Sequence, residues 1–493
     1  KTNPVSSMIK SGGGGNILNI TQMASCVGQQ ALGNKRVDFG YNERTLSFFK
    51  KGDLSPKARG FIKSPFIKGL KPDEFFFQAI TGRDSLMDTG LRTPKSGYLY
   101  RRLANALQDL RVEYDETIRD SNNNIIEFKY GDDGIDVTKE HLKEKLDSGE
   151  AIGIVTAQSF GEASTQMVLR TFHMAGVAEM QVTTGLPRLI EIFDARKKPS
   201  SPKMEIFLNK EYNSEEGSKV VAEKIKEVKL REIASEINLD FSEKKIEIKI
   251  NKEGLKQTHS SVKKIVERLN ELGFKVKEKQ DTISLHAEES LGFKELYKLK
   301  EKLKETTISG IKGVEQILVV KRDNNFVVVT LGTNLKEITA LKEVNKDKTI
   351  SNDFYEVADI FGIEVARELL MNEITEVLKS QGLDINIRHL KLVADAMTNS
   401  GEIKGVTRMG IIAQKSSILA RATFETPVPQ FVKATIKGGR DKLLSVIENI
   451  ILNQPVPVGT GLPGLLVRVI GPLTKRDADK KLADSKIVER VNR

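Results

Sequence analysis

Four side chains near the middle of this 493-residue chain bring unlike chemistries into one short stretch. A helix over residues 164–175, closed by Gly176, would put Gln166, Leu169, Arg170 and His173 at i, i+3, i+4 and i+7, on a single face. The amide, apolar, guanidinium and imidazole groups gathered there could meet a sugar hydroxyl, a base, a phosphate and a group that exchanges a proton. A nucleotide carries all of these features. A mixed solvated face with a stray histidine has the same spacing, so spacing alone leaves both readings open.

A second candidate surface lies upstream. Pro72 followed by Asp73 and Glu74 puts proline at a first helical position and two acids in the first turn, which predicts a long helix from residue 73 to about 109, roughly 55 Å if unbroken. Gly82, Gly90 and Gly97 fall near one stripe of it, where a missing side chain admits another backbone or a ligand. Pro94 removes a backbone donor and crowds the preceding turn, at about 3 kcal/mol or more if internal, so residues 93–95 are expected to kink or unwind. One bent strut and two shorter helices with a turn at 94–97 are both compatible with this pattern.

Other motifs lead away from other chemistries. Gly459, Gly461 and Gly464 satisfy G-x-G-x-x-G, but the strand-like LLVRVI follows where a dinucleotide fold needs a helix. Asp38-Phe39-Gly40 has no H-R-D loop to work with, and no Gly-Lys dipeptide begins a phosphate-binding lysine motif. Asp132-Asp133 and Asp477-x-Asp479 sit in turn or tail chemistry without a third ligand, so no magnesium site is expected in this chain. One cysteine, Cys26, among five histidines excludes an internal disulfide and a cysteine-based zinc site. The basic runs Arg196-Lys197-Lys198 and Lys475-Arg476 read as solvated faces.

Composition sets the frame for these sites. Lys and Arg number 78 against 67 Asp and Glu, giving +11 and a pI near 9.2, which favours an anionic partner, nucleic acid ahead of acidic membrane. With 39% hydrophobic and 29% charged residues the chain can build cores, and its length favours about three domains. No window reaches the roughly 20 apolar residues of a membrane span, and the opening KTNPVSSMIKSGGGG lacks a signal-peptide core, so a cytoplasmic protein is expected. Residues 111–150 hold two turn signals around IIEFKY and predict a hairpin; residues 197–346 alternate strand-like runs with Lys/Glu helices, an α+β pattern. Helical signals return after residue 352, with a polar turn at Gly382 and a charged tail from Lys475.

Two dense blocks on these elements closely resemble the largest subunit of multisubunit DNA-directed RNA polymerase, nearest the archaeal form whose downstream piece is called A″. PDEFFFQAITGRDSLMDTGLRTPKSGYLYRRLANAL is similar to the bridge helix, and GIVTAQSFGEASTQMVLRTFHMAGVAEMQVTTGLPRLIEIFDARKKPS to the trigger loop with its flanking helices. QMASCVGQQALGNKRVDFGYNERTL resembles the funnel region, while FGIEVARELLMNEI, INIRHLKLVADAMT, GVTRMG and NQPVPVGTG resemble cleft and clamp elements. The resemblance implies an α+β, multi-region, non-compact subunit fragment. Its expected parts are a funnel-like region at 1–70, a bridge helix at 71–110, a connector hairpin at 111–150 and a trigger-loop helical hairpin at 151–196. A jaw-like α+β module at 197–350 and a helical cleft and clamp region at 351–493 follow.

The resemblance also assigns roles. Gln166 would meet the ribose, Leu169 would pack on the base, and Arg170 and His173 would reach the phosphates of an incoming nucleoside triphosphate. His173, protonated, would stabilise the pyrophosphate leaving group as positional catalyst or general acid. Thr93, Pro94, Tyr98, Arg101 and Arg102 would line the nucleic acid, with Thr93, Pro94 and Tyr98 abutting the template base. The family's Asn-Ala-Asp-Phe-Asp-Gly-Asp motif is absent, so Mg²⁺ is expected on another chain or segment. Partners implied are the metal-binding part of the largest subunit, the second-largest subunit, other polymerase subunits, DNA, RNA and nucleotides, with no membrane. Pro94 stands where the family commonly has Ala or Ser, and Ala163 replaces the usual proline after Gly-Glu, which would shift the start of the trigger-loop helix. Arg170 agrees with archaeal and bacterial versions. A rival of another class is a non-catalytic nucleic-acid-binding scaffold with the same fold.

Overall fold

The computed structural model describes residues 3–11, 17–33, 35–38, 40, 42–169, 185–240, 245–250, 262–271, 275–279, 282–286, 293–322, 325–424 and 426–462, a mixture of helix and small sheets. Two short helices, α1 (Pro4–Lys10) and α2 (Ile17–Ala24), precede a small core of Val27, Val37, Phe49, Ala58, Ile62 and Phe77. The long helix α3 (Pro72–Leu107) leaves that core. Its first turn is fixed by Glu74, buried, whose carboxylate accepts the backbone N–H groups of Lys63, Ser64 and Lys71 at 3.1–3.2 Å. Burial pushes the Glu74 pKa up, but these donors outweigh it and hold the carboxyl below its usual range.

The helix runs through Pro94 without interruption for 36 residues, about 54 Å. The expected unwinding at 93–95 does not occur, and neither does a division into two helices. Pro94 and Gly90 are both exposed, so water can take the Gly90 carbonyl that proline leaves without a donor. Immediately beyond, Ser96, Leu99, Leu103 and Leu107 are buried against the next helix, α4 (Ile152–Leu169), and that packing holds the helical path. α4 also differs from expectation: it starts at Ile152, not at residue 164, and Ala163 lies buried within it, so the missing proline does not set its start.

Between them, residues 111–127 form a three-stranded antiparallel meander, Arg111–Val112, Ile118–Arg119 and Ile125–Glu127, rather than a single hairpin. Asp120 makes its tight turn by accepting from the backbone N–H groups of Asn122 and Asn124. The helix α5 (Leu186–Phe193) returns the chain to the main core.

The region expected to be one α+β module is two. One antiparallel sheet, ordered Gln316–Arg322, Asn325–Leu331, Lys203–Phe207, Ile350–Ser351, buries Met204, Ile206 and Val328 in the main core. The pairing of Arg322 with Asn325 ends the register between the first two strands of this sheet. A second sheet, ordered Ala234–Asp240, Lys245–Ile250, Thr282–His286, Lys275–Lys279, is inserted within the first and carries α6 (Val262–Glu271) and α7 (Phe293–Lys304). It has its own core, centred on Ile246, Ile248, Ile265, Leu269 and Ile283. After it come α8 (Phe354–Phe361) and α9 (Ile363–Ser380), separated by Gly362 at φ +96°, then α10 (Ile387–Thr398) beyond the predicted turn at Gly382, and α11 (Ile418–Phe424). No helix among the described residues is long and apolar enough to cross a membrane.

Candidate nucleic-acid and nucleotide interface

α3 is anchored at its two ends in different cores and uncovered in between. Phe77 belongs to the N-terminal core, and Leu99, Leu103 and Leu107 belong to the main one. No residue from 78 to 95 is buried; Leu86 is 76% exposed and Leu91 64%. Gly90, Pro94, Gly97 and Arg101 follow at i, i+4, i+7 and i+11, one exposed stripe. Among the described residues, a Cβ added at Gly82, Gly90 or Gly97 would meet nothing within 4 Å. The close helix approach that glycine was expected to admit on α3 is made instead by glycines of α4. A Cβ at Gly153 would sit 1.9 Å from the Leu107 carbonyl oxygen, and one at Gly161 2.6 Å from the Tyr100 ring.

The five nucleic-acid candidates separate into three environments. Thr93 and Pro94 are exposed, the Thr93 hydroxyl donating back to the Thr89 carbonyl at 2.9 Å, and Tyr98 is 44% exposed. Arg101, on the stripe, donates to the Thr423 and Phe424 carbonyls at 3.2 Å each, with its guanidinium 5.9 Å from the Phe424 ring centre at the end of α11. Arg102 does not line an exposed surface: it is buried, ion-paired to Asp194 and stacked at 5.0 Å over the Tyr98 ring. Its ion pair with Asp194, at the end of α5, holds it inward. The basic run 196–198 is exposed, as expected, with Arg196 3.6 Å from Asp194.

Of the four-residue face, α4 carries the first two members. Gln166 is exposed and donates to Glu162 one turn earlier, while its neighbours Met167 and Val168 are buried. Leu169 ends the helix; Arg170 and His173 lie outside the described residues, as do Gly464, Asp477-x-Asp479 and the charged tail. A contact not anticipated from sequence joins the two candidate surfaces. The Ser96 hydroxyl of α3 is buried 2.8 Å from the Ser164 hydroxyl and 3.4 Å from that of Thr165, adjacent to Gln166. Small hydroxyls amid a helix pattern were its only sequence signal.

A second unanticipated cluster braces this arrangement. Tyr130 and Thr156 both place hydroxyls on the Nδ1 of His389, at 2.7 and 2.9 Å, joining the connector, α4 and α10. Burial, reinforced by the Arg388 charge, pushes His389 down to about 4, so the ring is neutral. Arg388 grips Asp133 through two bonds of 2.9 and 2.6 Å and Glu140 at 3.0 Å, and the side-chain hydrogen bond from Arg388 brings Asp133 down to about 2. Gly131, at φ +59°, leaves room for the Arg388 side chain, which a Cβ there would strike at 2.3 Å. Glu127, buried beside Asp395, is pushed up to about 8, mainly by burial. Asp132 pairs with Lys391. The Asp132-Asp133 pair is thus committed to cations of the chain itself, and among the described residues no group of three His, Cys, Asp or Glu side chains could hold a metal ion.

The comparisons with known proteins decide what this arrangement belongs to. Residues 69–419 match the family described as RNA polymerase Rpb1, domain 5, and residues 1–62 match RNA polymerase Rpb1, domain 4. The chain belongs to the largest-subunit family of DNA-directed RNA polymerase. It is 40% identical over 370 residues to DNA-directed RNA polymerase subunit Rpo1C of Pyrobaculum aerophilum, a match covering 73% of this chain and 96% of that relative. The resemblance read from the bridge-helix and trigger-loop blocks is therefore correct at the level of the family and its archaeal type. As a polymerase subunit the chain takes part in DNA-directed transcription, within a complex that is a nucleotidyltransferase.

Proposed function

We propose that α3 is the bridge helix of this polymerase and that α4, residues 170–184 and α5 form its trigger loop with flanking helices. The single observation that carries this reading is a rod fixed at both ends by separate cores, bare along its middle, and hydrogen-bonded through Ser96 to the helix that leads into Arg170 and His173. A rod of this kind presents Thr93, Pro94, Tyr98 and Arg101 to the template, and the exposed Gln166 exchanges its Glu162 partner for a ribose hydroxyl. In this reading Leu169 packs on the base of the incoming nucleoside triphosphate and Arg170 draws its phosphates. As the 3′-oxygen of the RNA bonds to the α-phosphorus and the P–O bond to pyrophosphate breaks, protonated His173 gives its proton to the leaving pyrophosphate oxygen, a contribution of roughly 10²–10⁴-fold. Among the described residues no side-chain group could hold a metal ion, and in this reading the metal-binding part of the largest subunit supplies the Mg²⁺. The second-largest subunit, other subunits, DNA and RNA complete the assembly. Residues 1–70 form the funnel-like part, 197–350 the jaw and 351–493 the cleft and clamp.

The test is a reconstituted polymerase carrying His173→Ala or Leu169→Ala. Nucleotide addition should slow by at least about 100-fold for His173→Ala, the lower end of the range for a lost proton donor, with template binding nearly unchanged. Unchanged elongation in both variants would instead leave the chain as a nucleic-acid-binding scaffold.

A further inference from the structure

Arg102 is the one predicted nucleic-acid contact that the fold turns inward, and what it touches there is specific. Its guanidinium carbon lies 5.0 Å from the centre of the Tyr98 ring one turn earlier on α3, within cation–π range. Its Nη1 is bound to Asp194, the residue that caps the C-terminal end of α5, and its Nε has no partner among the described residues. Two contacts therefore place the guanidinium: the carboxylate on one side and the ring on the other. Asp194 is itself fixed. The Val406 N–H donates to the Phe193 carbonyl at 2.7 Å, and Gly405 packs so closely that a Cβ there would stand 2.5 Å from the Asp194 carbonyl oxygen. Arg196 adds a longer, exposed partner at 3.6 Å.

We propose that Arg102 is a positioning residue for Tyr98, locked by Asp194, so that the setting of α5 fixes the pose of the exposed Tyr98 ring. Asp194 closes α5 and holds Arg102, so the link runs from α5 through Asp194 and Arg102 to Tyr98. A planar guanidinium is required, because an ammonium cannot hold a carboxylate edge-on and lie flat on a ring at once. The inference rests on the reading of Tyr98 as a template contact for its effect on elongation, but not for the contact itself.

The experiment uses the assembled polymerase with 3-fluorotyrosine at position 98 and two separate substitutions, Arg102→Met, which keeps the apolar stem, and Asp194→Asn, which is isosteric. Both should move the fluorine resonance. Arg102→Met should lower the saturating rate of single-nucleotide addition about fivefold, the size of an intermediate cation–π contact, with the half-saturating nucleotide concentration little changed. Arg102→Lys should not restore it. In a Tyr98→Ala background the Arg102→Met penalty should shrink to less than about 1.5-fold, which a purely structural ion pair would not do. A resonance unmoved by Asp194→Asn, or a full penalty persisting without Tyr98, overturns the proposal. Elongation indifferent to Tyr98→Ala while the resonance still moves would remove the template reading and leave the positioning contact standing.

Discussion

The two stretches of α3 on either side of residue 96 obey opposite rules. From Ser96 to Leu107 the helix is a core element, with Leu99, Leu103 and Leu107 at successive turns, fully buried against α4. From Gln78 to Lys95 no residue is fully buried, although Leu86, Met87 and Leu91 are as apolar as the residues below them. A helix usually owes its stability to one packed face, so a bare stretch this long would fray were it not pinned beyond both ends. Phe77 and the Glu74 cap pin one end and α4 the other. The lesson is that glycine means different things in the two settings: in α4 it admits a neighbour already present, and in the bare part of α3 it keeps a surface clear.

The strongest way to break that contrast is to add one methyl group on each side. Gly153→Ala would drive a Cβ into the backbone of Leu107, where nothing can swing away, and should cost more than about 3 kcal/mol, visible as lost soluble yield and a lowered denaturation midpoint. A truncation pair asks the same question of side chains. Leu103→Ala should cost about 3 kcal/mol in the chain alone, whereas Leu91→Ala should stay within about 0.5 kcal/mol by the same denaturant measurement. Equal losses would show that the bare stretch is packed after all.

Acidity should act through the braced side. The unfolded imidazole of His389 takes a proton near pH 6.5 but the folded one only near 4, so stability present above pH 6.5 is lost as pH falls towards 4, by about 3 kcal/mol at most. Glu127 has the opposite sign: the fold keeps its proton up to about pH 8 while the unfolded chain releases it near 4.5, so stability declines as pH rises between those values. Thermal unfolding across pH 4–9 should show His389→Gln flattening the acid limb and Glu127→Gln the alkaline one. Limbs unchanged in both variants would place the titration elsewhere.

Much of this was legible in the residues themselves. Pro72 with two acids marked the start of α3, the asparagines at 122–124 marked a turn, and Gly382 marked the turn after α9, because each is a local backbone preference. What sequence misjudged depended on partners distant along the chain. Pro94 carries a local penalty, but the packing of Leu99 and Leu103 on α4 and the exposure of Gly90 outweigh it. Residues 152–163 are small and β-branched, with no clear apolar stripe, so the true start of α4 was invisible until α3 covered it. Arg102 looked like its neighbour Arg101; only Asp194, on the far side of the segment 170–184, turns it inward. The same distance hides Arg101 against Phe424 and Lys415 against Asp109. The inserted sheet with its own core was read as part of one module, since alternating strands and helices do not announce which sheet they join.

The smallest expected effect separates the two uses of glycine most cleanly. Gly90→Ala places a methyl group in space that the described residues leave empty, and alanine loses less backbone freedom than glycine in a helix. In the chain alone it should therefore stabilise, by up to about 1 kcal/mol, read as a raised denaturation midpoint. In the assembled polymerase the same methyl group would stand on the stripe with Pro94, Gly97 and Arg101, where the template is proposed to pass, and nucleotide addition should slow even as the fold gains stability. A gain in both would mean that nothing approaches the bare stretch closely, and a loss in both would mean that α3 is strained there. Only opposite signs in the two measurements fit a surface kept clear for a partner that this chain does not itself contain.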